Sequence, residues 1–147
     1  MCDHWGRPGE DRANLVLWRG AGWMMLLNRF PYNSGHLLIA PGAHVARLDD
    51  LAGSVVLGMM GMVRDAQHVL REAVKAQGFN VGLNFGRCAG AGLPGHMHIH
   101  VVPRWEGDTN FMPIMDDVRV MPQALEAMRD LLVETSRSMG LGAGVRA

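Results

Sequence analysis

The sequence predicts an α+β domain in which helices cover one face of a mainly antiparallel sheet. Short β-like runs separated by Gly and Pro turns fill the first third of the chain. A long helical period then runs from Leu51 to about Gln77, and two further strands and a last helix complete the order. The length of 147 residues suits one domain (1–147), with a core of about residues 10–139 and a flexible tail at 140–147.

Each of the five expected strands is bounded by a turn signal. The first two, Leu15–Arg19 and Trp23–Asn28, are expected to form a hairpin across a loop of three or four residues. Pro41 and Gly42 follow the third strand, a glycine-rich loop follows the fourth, and Pro103 is expected to end the fifth. These last three runs are His36–Ala40, Val81–Phe85 and His96–Val102.

Two helices are expected. Apolar residues recur at intervals of three and four along Leu51–Gln77, which is typical of the buried stripe of an amphipathic helix. Asp49 or Asp50 is expected to cap the start of this helix, and Gly78 is expected to cap its end. A second amphipathic pattern predicts a helix over Pro122–Met139.

Composition excludes several classes of protein. The 14 basic and 14 acidic residues balance, which argues against a domain held on nucleic acid by its overall charge. Cys2 and Cys88 are too few for a disulfide framework and fit a reducing compartment. The most apolar run, Ala21–Leu27, is far shorter than a membrane span, and the polar N-terminus lacks a signal region. We therefore expect a cytoplasmic protein with neither a nucleic acid nor a membrane as its partner.

Three histidines at alternate positions, His96, His98 and His100, carry the strongest chemical signal. Alternate side chains of a strand share a face, so the three imidazoles are expected together on one side of the sheet. The intervening residues, such as Met97 and Ile99, would then point into the core. Three imidazoles on one face need polar partners and repel one another when protonated, which argues against a purely structural role.

Two kinds of chemistry fit this pattern. Imidazoles two residues apart on a strand can hold zinc, but Glu106 and Asp108 follow the break at Pro103 at no convincing spacing for further ligands. The other chemistry is nucleophilic attack on phosphorus by an imidazole, whose ordinary pKa of about 6.5 leaves it unprotonated near neutrality. The loop Gly86–Gly95 favours attack on phosphorus, because glycines let backbone N–H groups approach an anion closely.

Residues 96–102 resemble the histidine triad (HIT) motif, His-φ-His-φ-His-φ-φ with φ hydrophobic, at every position. Leu27–Arg29 and Ser34–Ile39 are similar to the second and third strands of that family, and Leu83–Gly86 looks like the strand that enters its phosphate loop. The resemblance covers roughly residues 10–105. It implies a HIT-like fold, an antiparallel five-stranded sheet with one long and one C-terminal helix.

Within the family, Val101–Trp105 and Gly107–Phe111 look most like the dinucleoside polyphosphate branch. That branch includes the fragile-histidine-triad hydrolases and the bacterial diadenosine tetraphosphate phosphorylases. The resemblance implies cleavage of a diadenosine polyphosphate by water or phosphate through a nucleotidyl-histidine intermediate. A nucleoside phosphoramidase and a non-catalytic nucleotide-binding module are the alternatives. The family also implies a homodimer, joined across the long helix and an edge strand.

The resemblance further implies roles for individual residues. His98 would attack the α-phosphorus, His100 would bond to a phosphate oxygen or to the surroundings of the nucleophile, and His96 would orient the site. His36, the additional histidine of the family, would hydrogen-bond within that network. The implied nucleotide-binding residues are Asn28 at the ribose, Asn84 at the phosphate or bridging oxygen, Gly92 and Gly95 in the loop, and Leu26 and Leu38 at the adenine.

The family chemistry requires no cofactor, although a divalent metal can accompany the phosphates of the substrate. A metal-binding subset of the family pairs an N-terminal Cys-x-x-Cys with two histidines. Trp5 occupies the second cysteine position here. Structural zinc is therefore not expected on the remaining candidate ligands, Cys2, His4, His44 and His96.

Overall fold

The computed structural model describes residues 2–108 and 124–141. It contains one antiparallel sheet in the order β1-β2-β3-β5-β4, which confirms the predicted α+β class. The strands are β1 Val16–Gly20, β2 Trp23–Leu27, β3 Leu37–Pro41, β4 Gly78–Leu83 and β5 Ile99–Arg104. The helices are α1 Cys2–Trp5, α2 Gly53–Val74 and α3 Leu125–Ser138.

The register of the sheet aligns four residues on one face. Val16 lies opposite Leu26, Leu26 opposite Leu38, and Leu38 opposite His100. Because directly opposite residues of antiparallel strands share a face, these side chains form a row across β1, β2, β3 and β5. The row ends at a histidine of the triad, so this face of the sheet carries the site.

The other face of the sheet is covered by α2 and α3. Met59 of α2 and Leu132 of α3 are fully buried against it. The same core contains the three apolar residues that alternate with the histidines, Met97, Ile99 and Val101. Their burial agrees with the predicted alternation. These three residues face the helix-covered core, and His100 faces the opposite side of the sheet.

Two local features at the starts of elements differ from the prediction. The β1–β2 turn has two residues, Ala21 and Gly22, rather than three or four, and Gly22 adopts a φ of 91° that favours glycine. Neither Asp49 nor Asp50 caps α2. Both belong to a separate 3-10 turn that ends before Ala52, which stands at the N-cap.

The helix α2 also ends before the predicted Gln77. Lys75 takes the left-handed conformation at its C-terminal end, with a φ of 53°, and so occupies the position that was predicted for Gly78. Gly78 instead begins β4, opposite Arg104 of β5. The predicted start of β4 at Val81 is therefore three residues too late, because the helix had already been terminated by a non-glycine residue.

The strand β5 excludes His96 and His98 and includes Pro103, which was predicted to end it. The pairing of β3 with β5 reaches only Val101, so among the described residues β5 pairs with β4 alone beyond that point. A strand position with a free edge tolerates proline, which lacks the N–H that a second neighbour would need.

Within the described ranges, no helix is long and apolar enough to cross a membrane. Some predictions fall on residues 109–123 and 142–147, which lie outside the described part of the chain. They are the helix start at Pro122, most of the tail, and the second half of Gly107–Phe111. The single-domain boundaries stay a prediction.

Candidate active site

A cavity of about 470 Å³ lies on the face of the sheet that carries the residue row ending at His100. Leu26 and Leu38 contribute its floor, and His98 and His100 line it from the β5 side. Its walls come from the segment after β2, from the glycine-rich loop and from α1, through Asn28, Phe30, Tyr32, Gly90, Gly92 and His4. A volume of this size is in the range of small-molecule sites.

His98 precedes β5 directly, and its Nδ1 lies 3.0 Å from the carbonyl oxygen of His96. A carbonyl oxygen only accepts hydrogen bonds, so Nδ1 carries the proton and donates it. In the neutral ring, Nε2 then keeps its lone pair. Because Nδ1 is engaged within the chain, Nε2 is the nitrogen that His98 can offer to a phosphorus atom in the cavity.

A chain of hydrogen bonds assigns the tautomers of His36 and His100. The N–H of Tyr32 donates to Nδ1 of His36 at 3.1 Å, so the neutral His36 carries its proton on Nε2. That Nε2 donates to Nδ1 of His100 at 3.0 Å. His100 must then carry its own proton on Nε2, which makes this atom a hydrogen-bond donor for a ligand in the cavity that His100 lines.

Burial keeps both rings of this pair neutral. The side chain of His36 is completely buried, and this desolvation, followed by the charges of His100 and His98, lowers the pKa of His36 to about 4. Desolvation, followed by the charge of His98, also lowers the pKa of His100. At neutral pH the two rings are therefore in the uncharged state that the hydrogen-bond chain requires.

His96 occupies a different environment, completely buried outside the cavity lining. Its Nε2 donates to the carbonyl of Pro41 at 2.8 Å, and its ring meets that of His44 edge-on at 5.3 Å between centroids. His98 and His100 therefore line the cavity, whereas His96, which precedes β5, is buried beside it. The N–H of Met97 donates to the carbonyl of Val45, so this part of the triad segment pairs with the loop after β3.

An ion-pair network fastens the loop between β2 and β3 to the end of β5. Asp108 accepts two hydrogen bonds of 2.7 Å from Arg104 and one of 2.8 Å from Nδ2 of Asn33. Asn33 also donates to the carbonyl of Pro103 at 3.2 Å. The hydrogen bond from Arg104 holds the pKa of Asp108 far below its usual range. This network fixes the loop that presents Tyr32 to the histidines.

A family model described as the HIT domain matches residues 13–107. The chain belongs to the HIT family. The predicted HIT resemblance and the HIT-like fold are therefore confirmed.

Individual relatives support this membership. The AP-4-A phosphorylase of Mycobacterium tuberculosis (strain ATCC 25618 / H37Rv) is 43% identical over 123 residues, which cover 84% of this HIT chain and 63% of the relative. The asymmetrical bis(5'-nucleosyl)-tetraphosphatase of Schizosaccharomyces pombe is 35% identical over 82 residues, which cover 56% and 44%. The chain thus spans less than two thirds of the length of these curated relatives.

A solved structure matches the whole described architecture. The Zn-bound histidine triad family protein from Mycobacterium smegmatis has a TM-score of 0.76 and is 26% identical. The match covers 95% of this HIT chain and 96% of that chain.

Most of the nucleotide-binding residues that the HIT resemblance implies line the cavity, namely Asn28, Leu26, Leu38 and Gly92. Asn84 instead lies in a neighbouring pocket of about 280 Å³, which also contains His100 and Tyr32. Gly95 borders His44 rather than the cavity, because a Cβ at this position would lie 3.2 Å from the Nε2 of His44. A side chain at this position would press on His44, and the nucleotide-binding role of Gly95 stays a prediction.

The sequence did not single out Phe30, Tyr32 or His4 as cavity residues of this HIT domain. The ring of Tyr32 stacks on His100 at 5.9 Å and packs against His36 at 4.8 Å between centroids. The sequence signal for both aromatics is their place in a Pro/Asn/Ser/Gly loop outside any core stripe. In the structure both side chains are at least 70% exposed. His4 gave no such signal, since only folding brings α1 to the cavity.

The described residues contain no group of three or more His, Cys, Asp or Glu side chains that could hold a metal ion. Nε2 of His96 is engaged by the carbonyl of Pro41. Trp5 packs so closely on Gly42 that a Cβ there would lie 2.4 Å from its ring. The side chain of Cys2 lies outside the described part, so the expectation that this HIT chain lacks structural zinc stays a prediction.

Proposed function

We propose that this HIT protein cleaves dinucleoside polyphosphates at the α-phosphorus through a nucleotidyl intermediate on His98. One observation carries the proposal: Nδ1 of His98 donates to the His96 carbonyl, which leaves Nε2 for attack in a cavity of nucleotide size. The 43% identity to an AP-4-A phosphorylase supports this substrate class. The 35% identity to a bis(5'-nucleosyl)-tetraphosphatase supports it independently.

In the first step, Nε2 of His98 forms a bond to the α-phosphorus, and the bond from that phosphorus to the bridging oxygen breaks. The electron pair leaves with the departing nucleotide, which carries the remaining phosphates, and the nucleoside monophosphate unit stays on His98. His100 donates its Nε2–H to a phosphate oxygen and is held in the donor tautomer by His36. Gly92 lines the cavity and is our candidate for a backbone N–H donor to the phosphate, where a fixed donor stabilises the charge that develops.

In the second step, an acceptor oxygen attacks the same phosphorus, the N–P bond breaks, and His98 recovers its lone pair. With diadenosine tetraphosphate the first product is ATP, and the second is AMP if water is the acceptor or ADP if phosphate is. We propose phosphate, because the relative that covers 84% of the chain is named a phosphorylase. Asn84, in the pocket beside His100, is our candidate contact for the phosphate chain.

The experiment is incubation with diadenosine tetraphosphate, with and without inorganic phosphate, followed by chromatography of the products. ADP and ATP that form only with phosphate support phosphorolysis, whereas AMP and ATP without phosphate identify a hydrolase. Adenosine 5′-monophosphoramidate is tested in parallel, and faster cleavage of that compound favours the phosphoramidase instead. Tight nucleotide binding without turnover of either compound would identify a non-catalytic binding module.

We also propose that two copies of the chain form a homodimer. The strand β4 is at the edge of the sheet, where Val81 and the nearby Phe85 expose apolar side chains. On α2, Leu57 and Met60 are exposed as well. A second copy would cover this apolar surface and pair the free edge. Size-exclusion chromatography with light scattering should give twice the chain mass, and a monomer at micromolar concentration would contradict the proposed dimer.

The cytoplasmic location stays a prediction.

A further inference from the structure

The short helix α1 packs on the cavity side of the sheet. Trp5 lies against an apolar cluster that includes both leucines of the cavity floor, made of Val16, Met24, Leu26, Leu38 and Ala40. It also packs closely on Gly42, where any larger residue would collide with the indole ring. The indole therefore holds α1 onto the outer strands, next to the cavity.

Arg19 of β1 fixes the backbone of α1. Its Nη1 donates to the carbonyl of Trp5 at 3.0 Å, and its Nη2 donates to the carbonyl of His4 at 2.6 Å. Asp11 forms an ion pair with the same guanidinium, which also lies over the ring of Trp5 at 5.7 Å. N-terminal residues are usually poorly ordered unless they are tied down, and these contacts tie the backbone of His4 to the sheet.

His4 lines the cavity from the side of β1, because Arg19 of β1 binds its backbone. Leu26 is two strand spacings from His100, or about 10 Å, because β3 separates β2 from β5. The helix α1 is fastened to Arg19 on β1, which is one strand further out. A nucleotide with its α-phosphorus at His98 directs its base to the β1 side, because the ribose separates the base from the phosphate.

We propose that His4 is a further binding residue that contacts the nucleobase of the substrate. The proposal rests on the proposed function, because the orientation of the nucleotide follows from attack by His98. The ligand class is a nucleoside 5′-phosphate whose base points towards α1. The floor at this end is aliphatic, through Leu26 and Leu38, and suits the flat face of a base, while His4, Asn14 and Arg29 supply polar groups for its edge.

The protonation state of His4 agrees with this role. Burial above all, and the nearby charge of Arg29, lower the pKa of His4, so the ring is neutral near pH 7. A neutral imidazole offers one hydrogen-bond donor and one acceptor, which is the kind of pair that the edge of a nucleobase presents. A charged ring would instead favour the phosphates.

Two ligands separate contact with the base from contact with the rest of the nucleotide. AMP carries a base, and ribose 5-phosphate lacks it. Isothermal titration calorimetry of the full chain should show that His4→Ala weakens AMP binding by about tenfold and leaves ribose 5-phosphate binding within about twofold. The matched control is His68→Ala, at an exposed position of α2, which should leave both affinities unchanged. In turnover assays, His4→Ala should raise the KM for diadenosine tetraphosphate with little effect on kcat.

Several results would overturn the proposal. Equal weakening of both ligands, no change in either, or a wild-type protein that binds AMP no more tightly than ribose 5-phosphate each exclude a base contact by His4. Arg19→Ala is a second variant. It is expected to release α1 and so to weaken the binding of AMP more than the binding of ribose 5-phosphate. The proposed function fails separately: a wild-type protein without turnover, whose AMP affinity depends on His4, would contradict that function and leave the base contact standing.

Discussion

The two ends of the triad segment carry two pairs of histidines in contrasting surroundings. At one end, His36 and His100 share a hydrogen bond of 3.0 Å, and His100 lines the cavity. At the other end, His96 and His44 meet edge-on at 5.3 Å between centroids, and His96 is buried against the carbonyl of Pro41. The same residue type thus serves the cavity at one end and the packing of the strand ends at the other.

This difference shows that the partners of each imidazole, rather than their alternation, decide what it can do. His98 lies between the two pairs and depends on each in a different way. Its Nδ1 uses the backbone carbonyl of His96, which every side-chain substitution at that position retains. The donor at His100 depends on the side chain of His36, which a substitution removes. Substitutions at His98, His36 and His96 should therefore have different consequences.

The largest effect is expected at the centre of the segment. His98→Ala removes the proposed nucleophile and should lower kcat by at least about 10⁴-fold, as loss of a catalytic nucleophile does elsewhere. The far-ultraviolet circular dichroism spectrum should stay unchanged, because the side chain lines a cavity rather than the core. Steady-state assays with diadenosine tetraphosphate and phosphate measure this effect, with His68→Ala as the control. Full activity of His98→Ala would exclude the assigned nucleophile.

The next largest effect is expected at the cavity end. His36→Asn breaks the hydrogen bond that sets the tautomer of His100 and should lower kcat by about 10²- to 10³-fold, with a much smaller change in KM. His100→Asn removes the donor itself and should have at least the same effect. If His36→Asn changed KM and left kcat intact, the conclusion that His36 holds His100 as a hydrogen-bond donor would be wrong.

The packing end should respond in stability rather than in rate. His96→Ala leaves a cavity and deprives the Pro41 carbonyl of its donor, so we expect a loss of about 2–4 kcal/mol in the free energy of unfolding. Urea denaturation measures this loss. The folded fraction should keep kcat within about tenfold, because the carbonyl that holds His98 remains. Unchanged stability combined with lost turnover would reverse the contrast between the two ends.

A smaller effect is expected from pH. The pKa of His36 is about 4 in the folded protein and 6.5 in the unfolded chain, so the unfolded state binds one more proton between these values. Stability should therefore fall as the pH decreases from about 6.5 towards 4, with a slope of up to about 1.4 kcal/mol per pH unit from this group. Urea denaturation at pH 7 and pH 5 measures the slope. An unchanged slope in His36→Asn would show that other groups cause it.

The smallest effect is expected from metal removal. We predict that dialysis against a chelator, followed by return of Mg²⁺ for the substrate, leaves both Tm and turnover unchanged within error. The physical reason is that Trp5 occupies the place of a potential cysteine ligand and that a carbonyl engages Nε2 of His96. Elemental analysis that found one zinc per chain, together with a lower Tm after chelation, would contradict this prediction.

The sequence predicted the parts of the molecule that depend on local periodicity. The alternation of the triad segment correctly assigned Met97 and Ile99 to the core, and the resemblance led to the HIT family and its sheet. The row of residues across the sheet explains how Leu26 and Leu38 belong to an apolar cluster and to the cavity at once. Both lie in an apolar cluster, and both also form the cavity floor.

The remaining features depend on contacts between distant segments. The burial of His96 outside the cavity depends on the end of β3 and the loop after it, which accept the hydrogen bonds from His96 at Pro41 and from Met97 at Val45, and periodicity does not encode these contacts. His4 reaches the cavity because Trp5 packs on the outer strands and Arg19 binds two carbonyls of α1. The end of α2 and the start of β4 differ from the prediction because Lys75, and not Gly78, takes the left-handed conformation that ends the helix.

The most direct test of the account is the position of the covalent intermediate. The protein is incubated with diadenosine tetraphosphate in the absence of phosphate, quenched in base to preserve N–P bonds, and mapped by peptide mass spectrometry. We predict one adenylyl group on His98 in the wild type, its removal when phosphate is added before the quench, and no label in His98→Ala. An adenylyl group on another residue, or turnover of the wild type without any label on His98, would contradict the account.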